Sequence, residues 1–201
     1  MRLLGALLLV TAAAGGAAWA CPGPEAMAGN GVWIQTDDGG LLHFRREGDV
    51  VIETSTYGPE DVIVTKSHLG LYFLQDGNLQ DGEINDATVN RYVYADPAAL
   101  PDPDTPDTWA GAVEVFSSGG EVPIKHRLTI RKGEVSEMRI GACQYTGRVV
   151  TSTLRQLFGA GWTTEYFYLS DLGFAFFLAA GETPDAYQYT YRPIAISAEA
   201  P

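Results

Sequence analysis

Beyond Val10 the chain has no apolar run approaching the roughly 20 residues that a helix needs to cross a bilayer. Long stretches with a 3.6-residue hydrophobic period are also missing, which argues against a helical bundle. Basic residues are few: 13 Lys and Arg stand against 25 Asp and Glu, for a net charge of −12. That balance opposes binding to phosphate backbones or anionic lipid, both of which recruit Lys and Arg, so nucleic acid is not expected as a partner. No Gly-x-Ser-x-Gly elbow and no His-Glu-x-x-His helix is present, and the three histidines, His43, His68 and His126, are scattered. Ser67 and His68 are adjacent, so on a strand they point to opposite faces and do not form a nucleophile and base. No catalytic residue, metal ligand or cofactor is expected.

What is present begins with a leader. Arg2 supplies a positive start, Leu3 to Val10 is almost unbroken apolar sequence, and Ala18-Trp19-Ala20 puts small residues where a signal peptidase reads them. Residues 1–20 are read as a signal peptide, and its removal takes one positive charge away. Export, with a bacterial periplasm as destination, is the expected localisation. Residues 21–201 suffice for one domain with a sizeable core and no transmembrane helix.

Cys21 and Cys143 are the only cysteines. An even count in an oxidising compartment suggests a disulfide between them. A rival reading starts from Cys21 directly following Ala20: a bacterial lipoprotein carries its lipid on such a cysteine. Against it, the Leu usual three positions earlier is absent and bulky Trp19 lies two before.

Alternation of period two dominates the mature chain. Leu42 and Phe44, Val50 and Ile52, Leu128 and Ile130, and Phe167 and Leu169 each mark one face of a strand. Met138 to Tyr145 also reads as a strand. Gly48-Asp49, Asp76-Gly77, Asp81-Gly82 and Gly133-Glu134 read as turns. One short helix is expected at Ser152–Phe158, with Leu154, Leu157 and Phe158 on one face and Gly159 as its stop. The fold class is all-β: about ten antiparallel strands in meanders, forming a sandwich or a strongly curved sheet or barrel.

A weak internal repeat suggests two tandem half-repeats, about 30–95 and 110–197. Leu42 to Val50 resembles Leu128 to Val135, and Ser67 to Leu74 resembles Ser170 to Leu178. The alignment pairs Gly48 with Gly133 and Gly70 with Gly173. It also pairs His43 with Thr129 and His68 with Asp171, which reads both histidines as exposed polar positions. Two meanders reusing the same hairpin chemistry would look alike without shared ancestry. Between the halves, residues 96–107 hold four prolines and four aspartates, a composition suited to an acidic, solvated crossing loop.

Two motifs invite a functional reading. Asp76 to Asp86 brushes against a calcium loop, but an extra residue between Asn78 and Asp81 breaks the spacing, and a polar hairpin explains the same residues. Tyrosines two apart recur at Tyr92 and Tyr94, Tyr166 and Tyr168, and Tyr187, Tyr189 and Tyr191. Each set would share one strand face, and a face of tyrosines can hold sugars, peptides or amphiphiles. Tyrosine is equally an ordinary strand former on a half-buried face. The reading that follows is an exported, non-catalytic envelope protein binding an apolar or amphipathic ligand or a protein partner. A membrane-tethered structural lipoprotein modified on Cys21 and a secreted hydrolase with an unrecognised site are the alternatives.

Overall fold

The computed structural model describes residues 21–201 apart from 59, 106–107, 157–158, 160 and 184–185. The expected leader, residues 1–20, lies outside that range. Among the described residues, a short helix α1 (Pro24–Ala28) precedes fourteen strands. The first seven are β1 (Val32–Thr36), β2 (Leu41–Glu47), β3 (Val50–Thr56), β4 (Val62–His68), β5 (Tyr72–Gln80), β6 (Glu83–Ile84) and β7 (Asn90–Tyr94). The rest are β8 (Trp109–Phe116), β9 (Ile124–Ile140), β10 (Cys143–Gln156), β11 (Gly161–Leu169), β12 (Phe174–Gly181), β13 (Tyr187–Thr190) and β14 (Pro193–Ser197). The all-β class is therefore correct, with four more strands than expected.

All fourteen belong to one antiparallel sheet, ordered β13-β12-β11-β10-β9-β8-β7-β5-β4-β3-β2-β1-β14, with β6 paired off that path to β5. The sheet is open, since its two ends are β13 and β14, so it is a strongly curved sheet and not a closed barrel. It folds over on itself. Phe167 and Leu169 on one face of β11 join a core with Val32, Ile34, Leu42 and Phe44 of the first strands. Tyr166 and Tyr168 on its other face join a second core with Tyr94, Val113, Leu128 and Ile130. Phe44 stacks on Phe174 at 4.3 Å between ring centroids. The backbone of Ala175 donates to the Leu69 carbonyl, and Arg46 donates to the Gly173 carbonyl at 2.6 Å.

Register explains four places where the chain departs from its sequence reading. Gly133-Glu134 is not a turn. Arg148 pairs with Val135 and Val150 with Lys132, leaving two residues of β9 opposite Val149. This bulge reverses the alternation of β9, so Leu128 and Ile130 enter one core while Met138 and Ile140 enter the other. Asp76-Gly77 lies inside β5, and the turn is at Asp81 and Gly82, both at positive φ. Met138 to Tyr145 is not one strand, because Gly141 at φ +60° turns the chain between β9 and β10. The helix expected at Ser152–Phe158 is absent over Ser152–Gln156, which continues β10; Leu157 and Phe158 lie outside the described residues. Thr151 and Thr153 are β-branched, and pairing with two neighbouring strands outweighs the apolar spacing.

The glycine pairs test the repeat. Gly70 and Gly173 both occupy strand-to-strand turns at positive φ, but Gly48 is in a turn while Gly133 is in a strand. Residues 96–105 lie between the last strand of the first half and the first strand of the second. They join β7 to its neighbour β8, whose pairing aligns Tyr94 with Val113. This acidic strap is held by its backbone and two side chains: Tyr72 Oη donates to the Pro101 carbonyl, Lys132 Nζ to that of Asp102 and to Thr105 Oγ1, Arg148 to the Asp104 carbonyl, and Ser170 Oγ to the Asp104 carboxylate.

Cys21 is bridged to Cys143, across a sequence separation of 122 residues. The bridge pins the segment ahead of α1 to the start of β10, and Met27 of α1 is buried in the first core. Tyr145 Oη donates to the Pro22 carbonyl at 3.1 Å, a second tie at the same place. Closing so long a loop is worth about 4–5 kcal/mol in the chain-entropy picture. Reduction, or Cys21→Ser with Cys143→Ser, is expected to lower the urea midpoint of unfolding accordingly. An unchanged midpoint would contradict a stabilising tether.

Candidate functional site

Past the second core the curved sheet is not filled. A cleft of about 290 Å³ opens between β5, β7, β8 and β9 on one side and β10, β11 and β12 on the other. Its lining is mostly aromatic: Phe73, Tyr92, Tyr94, Trp162, Tyr166 and Phe177, completed by Leu71, Val113, Leu128 and Leu154, with Ser152 and Thr164 as small polar members. Alternation places Trp162, Thr164 and Tyr166 on one face of β11, and Ser152 and Leu154 on the matching face of β10, opposite Thr164 and Trp162 in register.

Bulges bring in the remaining rings. Lys66 pairs with Gln75 and Ser67 with Phe73, so Leu74 is the extra residue and Phe73 turns inward. On β12, Glu165 pairs with Ala179 and Tyr166 with Phe177, which leaves Leu178 extra and sends Phe177 to the cleft. Edge-on contacts link the rings: Tyr92 to Phe73 at 5.7 Å, Phe73 to Tyr166 at 6.4 Å, and Tyr166 to Phe177 at 6.3 Å. Such tilted pairs suit the aromatic quadrupole and fix each ring.

Of the seven tyrosines singled out by sequence, Tyr92, Tyr94 and Tyr166 line the cleft. Tyr168 is buried further down the same face of β11. Tyr189 reaches the site through Trp162 at 6.3 Å, and Tyr191 through Phe177 at 5.1 Å. Tyr187 does not join them. A register shift between Ala180 and Gly181 interrupts the alternation of β13, and its hydroxyl donates to Glu165, which points to the opposite face from Tyr166. Phe73, Trp162 and Phe177 escaped the sequence reading. Phe73 and Phe177 lie in the two similar segments, Ser67 to Leu74 and Ser170 to Leu178, but bulges decide which way they face.

The electrostatics of the cleft are one-sided. Among the described residues, no Lys, Arg or His lines it. Tyr92 Oη donates to Asp76 at 2.7 Å, and Asn90 donates to the other oxygen of the same carboxylate. Burial, with the Asp76 charge behind it, pushes the Tyr92 hydroxyl well above its ordinary range. Burial does the same to Tyr94, and to Tyr166, where the Glu53 carboxylate adds to the effect. All three therefore remain neutral hydroxyls. Burial also raises Glu53, against the lowering effect of the Ser55 hydroxyl that bonds to it at 2.6 Å.

Elsewhere little chemistry converges. Ser67 is buried and donates to the Val51 carbonyl, while His68 Nδ1 lies 3.2 Å from the Asp49 carbonyl. His43 stacks on Trp33 and reaches the Asn30 carbonyl, and His126 the Ile124 carbonyl. The stretch from Asp76 to Asp86 runs from β5 through a hairpin to a short 3₁₀ turn capped by the Asn85 side chain. Among the described residues, no three His, Cys, Asp or Glu side chains gather as a metal-binding set. Comparison with family models, curated proteins and solved structures finds no match to this chain.

Eight of the ten tyrosines have hydroxyls raised by burial. Their contribution to stability is complete below the ordinary tyrosine value of 10.0 and is lost as pH rises through the folded values. Most of the phenolate absorbance is expected to appear late, together with loss of the β-sheet circular dichroism signal. A gradual rise centred near the ordinary value in folded protein would contradict this burial. For Glu53 the raised value means that folding disfavours the carboxylate at neutral pH. Glu53→Gln is expected to raise Tm at pH 7 and to lose that advantage towards pH 4, where the carboxyl is protonated in both states.

Proposed function

We propose that this chain is an exported, non-catalytic binding protein whose apolar or amphipathic ligand sits in the aromatic cleft. The observation that carries the reading is the cleft itself: about 290 Å³ left open among aromatic side chains that could have packed solid. Binding sites for small molecules are concave, mostly apolar and furnished with a few polar groups that fix orientation. Here Ser152, Thr164 and the tyrosine hydroxyls supply those groups. The size admits a ligand of one to three rings. Export is supported by the leader sequence and by the disulfide, which persists in oxidising compartments. A lipid anchor on Cys21 would require the sulfur that the bridge already uses.

An apolar fluorescent probe, N-phenylnaphthylamine, is expected to bind with one-to-one stoichiometry. Ser152→Trp and Leu154→Arg, the first filling the cleft and the second charging it, should each abolish the signal in protein that still unfolds cooperatively. Equal binding by wild type and both variants would put the probe elsewhere and sink the proposal.

A further inference from the structure

The cleft reading leaves the class of ligand open, and the distribution of charge narrows it. An aromatic ring presents a negative face, so a site built from several rings attracts a positive group that can shed its water. Among the described residues, six of the lining side chains are aromatic and none of the lining residues is basic. Behind the rings stand two carboxylates with neutral partners: Asp76 accepts from Tyr92 Oη and Asn90 Nδ2, and Glu53 accepts from Ser55 Oγ. The only ion pairs among the described residues are Arg45 with Glu47 and Lys125 with Glu114, so neither carboxylate is in one.

The cationic side chains of the interior lie at the strap end. Arg46 donates to the carbonyls of Leu172 and Gly173, Lys132 to Asp102 and Arg148 to Asp104. Arg148 and Arg46 act on the Tyr168 hydroxyl, the tyrosine below Tyr166 on β11, and not on the tyrosines that line the cleft. His126, on β9 two residues before Leu128, has its Nδ1 3.0 Å from the Ile124 carbonyl.

From this arrangement we infer that the ligand is an organic cation: an alkylated or quaternary ammonium group carried on a small apolar body, held by the rings of Tyr92, Trp162 and Tyr166 with Asp76 as counter-charge. The inference rests on the cleft reading above and adds the sign of the ligand. A quaternary ammonium has no proton to donate, so it asks for ring faces and a diffuse negative potential, and not for a directed acceptor. A neutral ligand of the same shape would gain the apolar contact alone.

The test compares meta-hydroxybenzyltrimethylammonium with its neutral carbon isostere, meta-neopentylphenol, by calorimetry on the mature protein at pH 8. The cation is expected to bind at least ten-fold more tightly. Asp76→Asn should cut that preference several-fold, the cation losing more affinity than the neutral isostere. Equal affinities in wild type would overturn the cation inference and leave the apolar cleft standing. No binding of either compound by folded wild-type protein would count against both. A loss of affinity for both compounds in Asp76→Asn, in equal proportion, would show that Asp76 only positions Tyr92 and would remove the counter-charge argument.

Discussion

Burial of β11 and β12 on both faces is the constraint on which the rest of this structure depends. A sheet with one buried face needs polar residues at alternate positions, whereas a strand buried twice needs apolar residues at all of them. Tyr166 to Leu169 and Phe174 to Phe176 meet that requirement, each nine-tenths buried or more. Odd and even positions go to different cores: Phe167, Leu169, Phe174 and Phe176 to one, Tyr166, Tyr168 and Ala175 to the other. Each fully buried ring contributes about 1.5–3 kcal/mol against exposure, so this doubly covered pair is what draws both arms of an open sheet around it. The contact of Phe44 with Phe174 and the bond from Ala175 to Leu69 are the two sides of that grip.

The cleft is a consequence of where the grip ends. Towards the strap the second core is closed by Tyr72, Trp109, Tyr168 and Val150. Trp109 lies over Gly111, where a Cβ would stand 2.4 Å from the indole. In the opposite direction the facing positions on β10 and β11 are Ser152 and Thr164, too small to meet Tyr92 and Tyr94 across the gap. A void among apolar side chains destabilises in proportion to its volume. Larger residues at two positions would remove it.

Much of this was legible in the chain before any coordinates. Period-two alternation at Leu42 and Phe44, or Leu128 and Ile130, depends only on local sequence and a single buried face, and it located β2 and β9. With two cysteines the sequence offered a Cys21–Cys143 bridge or a lipid on Cys21, and the structure has the bridge. What could not be read was register. A bulge adds one residue to a strand without a fixed sequence signature, yet it reverses every side chain beyond it. Gly133-Glu134 looks like a turn and is a bulge; the apolar spacing of Leu154, Leu157 and Phe158 looks helical, yet β10 runs on through Gln156. The same limit applies at the site. Tyr92, Tyr94 and Tyr166 were visible as tyrosines on strands, but Phe73 and Phe177 face them only because Leu74 and Leu178 are unpaired.

The charges inside the curved sheet are sorted along its length, and the acidic strap accounts for the sorting. Arg148 is nine-tenths buried, and its Nε has no hydrogen-bond partner among the described residues. A buried guanidinium is costly unless anions or carbonyls surround it. The strap brings both, presenting the Asp102 and Asp104 carbonyls to Lys132 and Arg148 while its own carboxylates lower the local potential. Seen this way, the cluster of prolines and aspartates between β7 and β8 is more than a solvated connection. It supplies acceptors to the cations of one end, and Asp76 and Glu53 at the other end are left with hydroxyl and amide partners only. A cation in the cleft would therefore meet the Asp76 carboxylate behind Tyr92 without a cationic partner, while Lys132 and Arg148 are held at the strap by carbonyl oxygens.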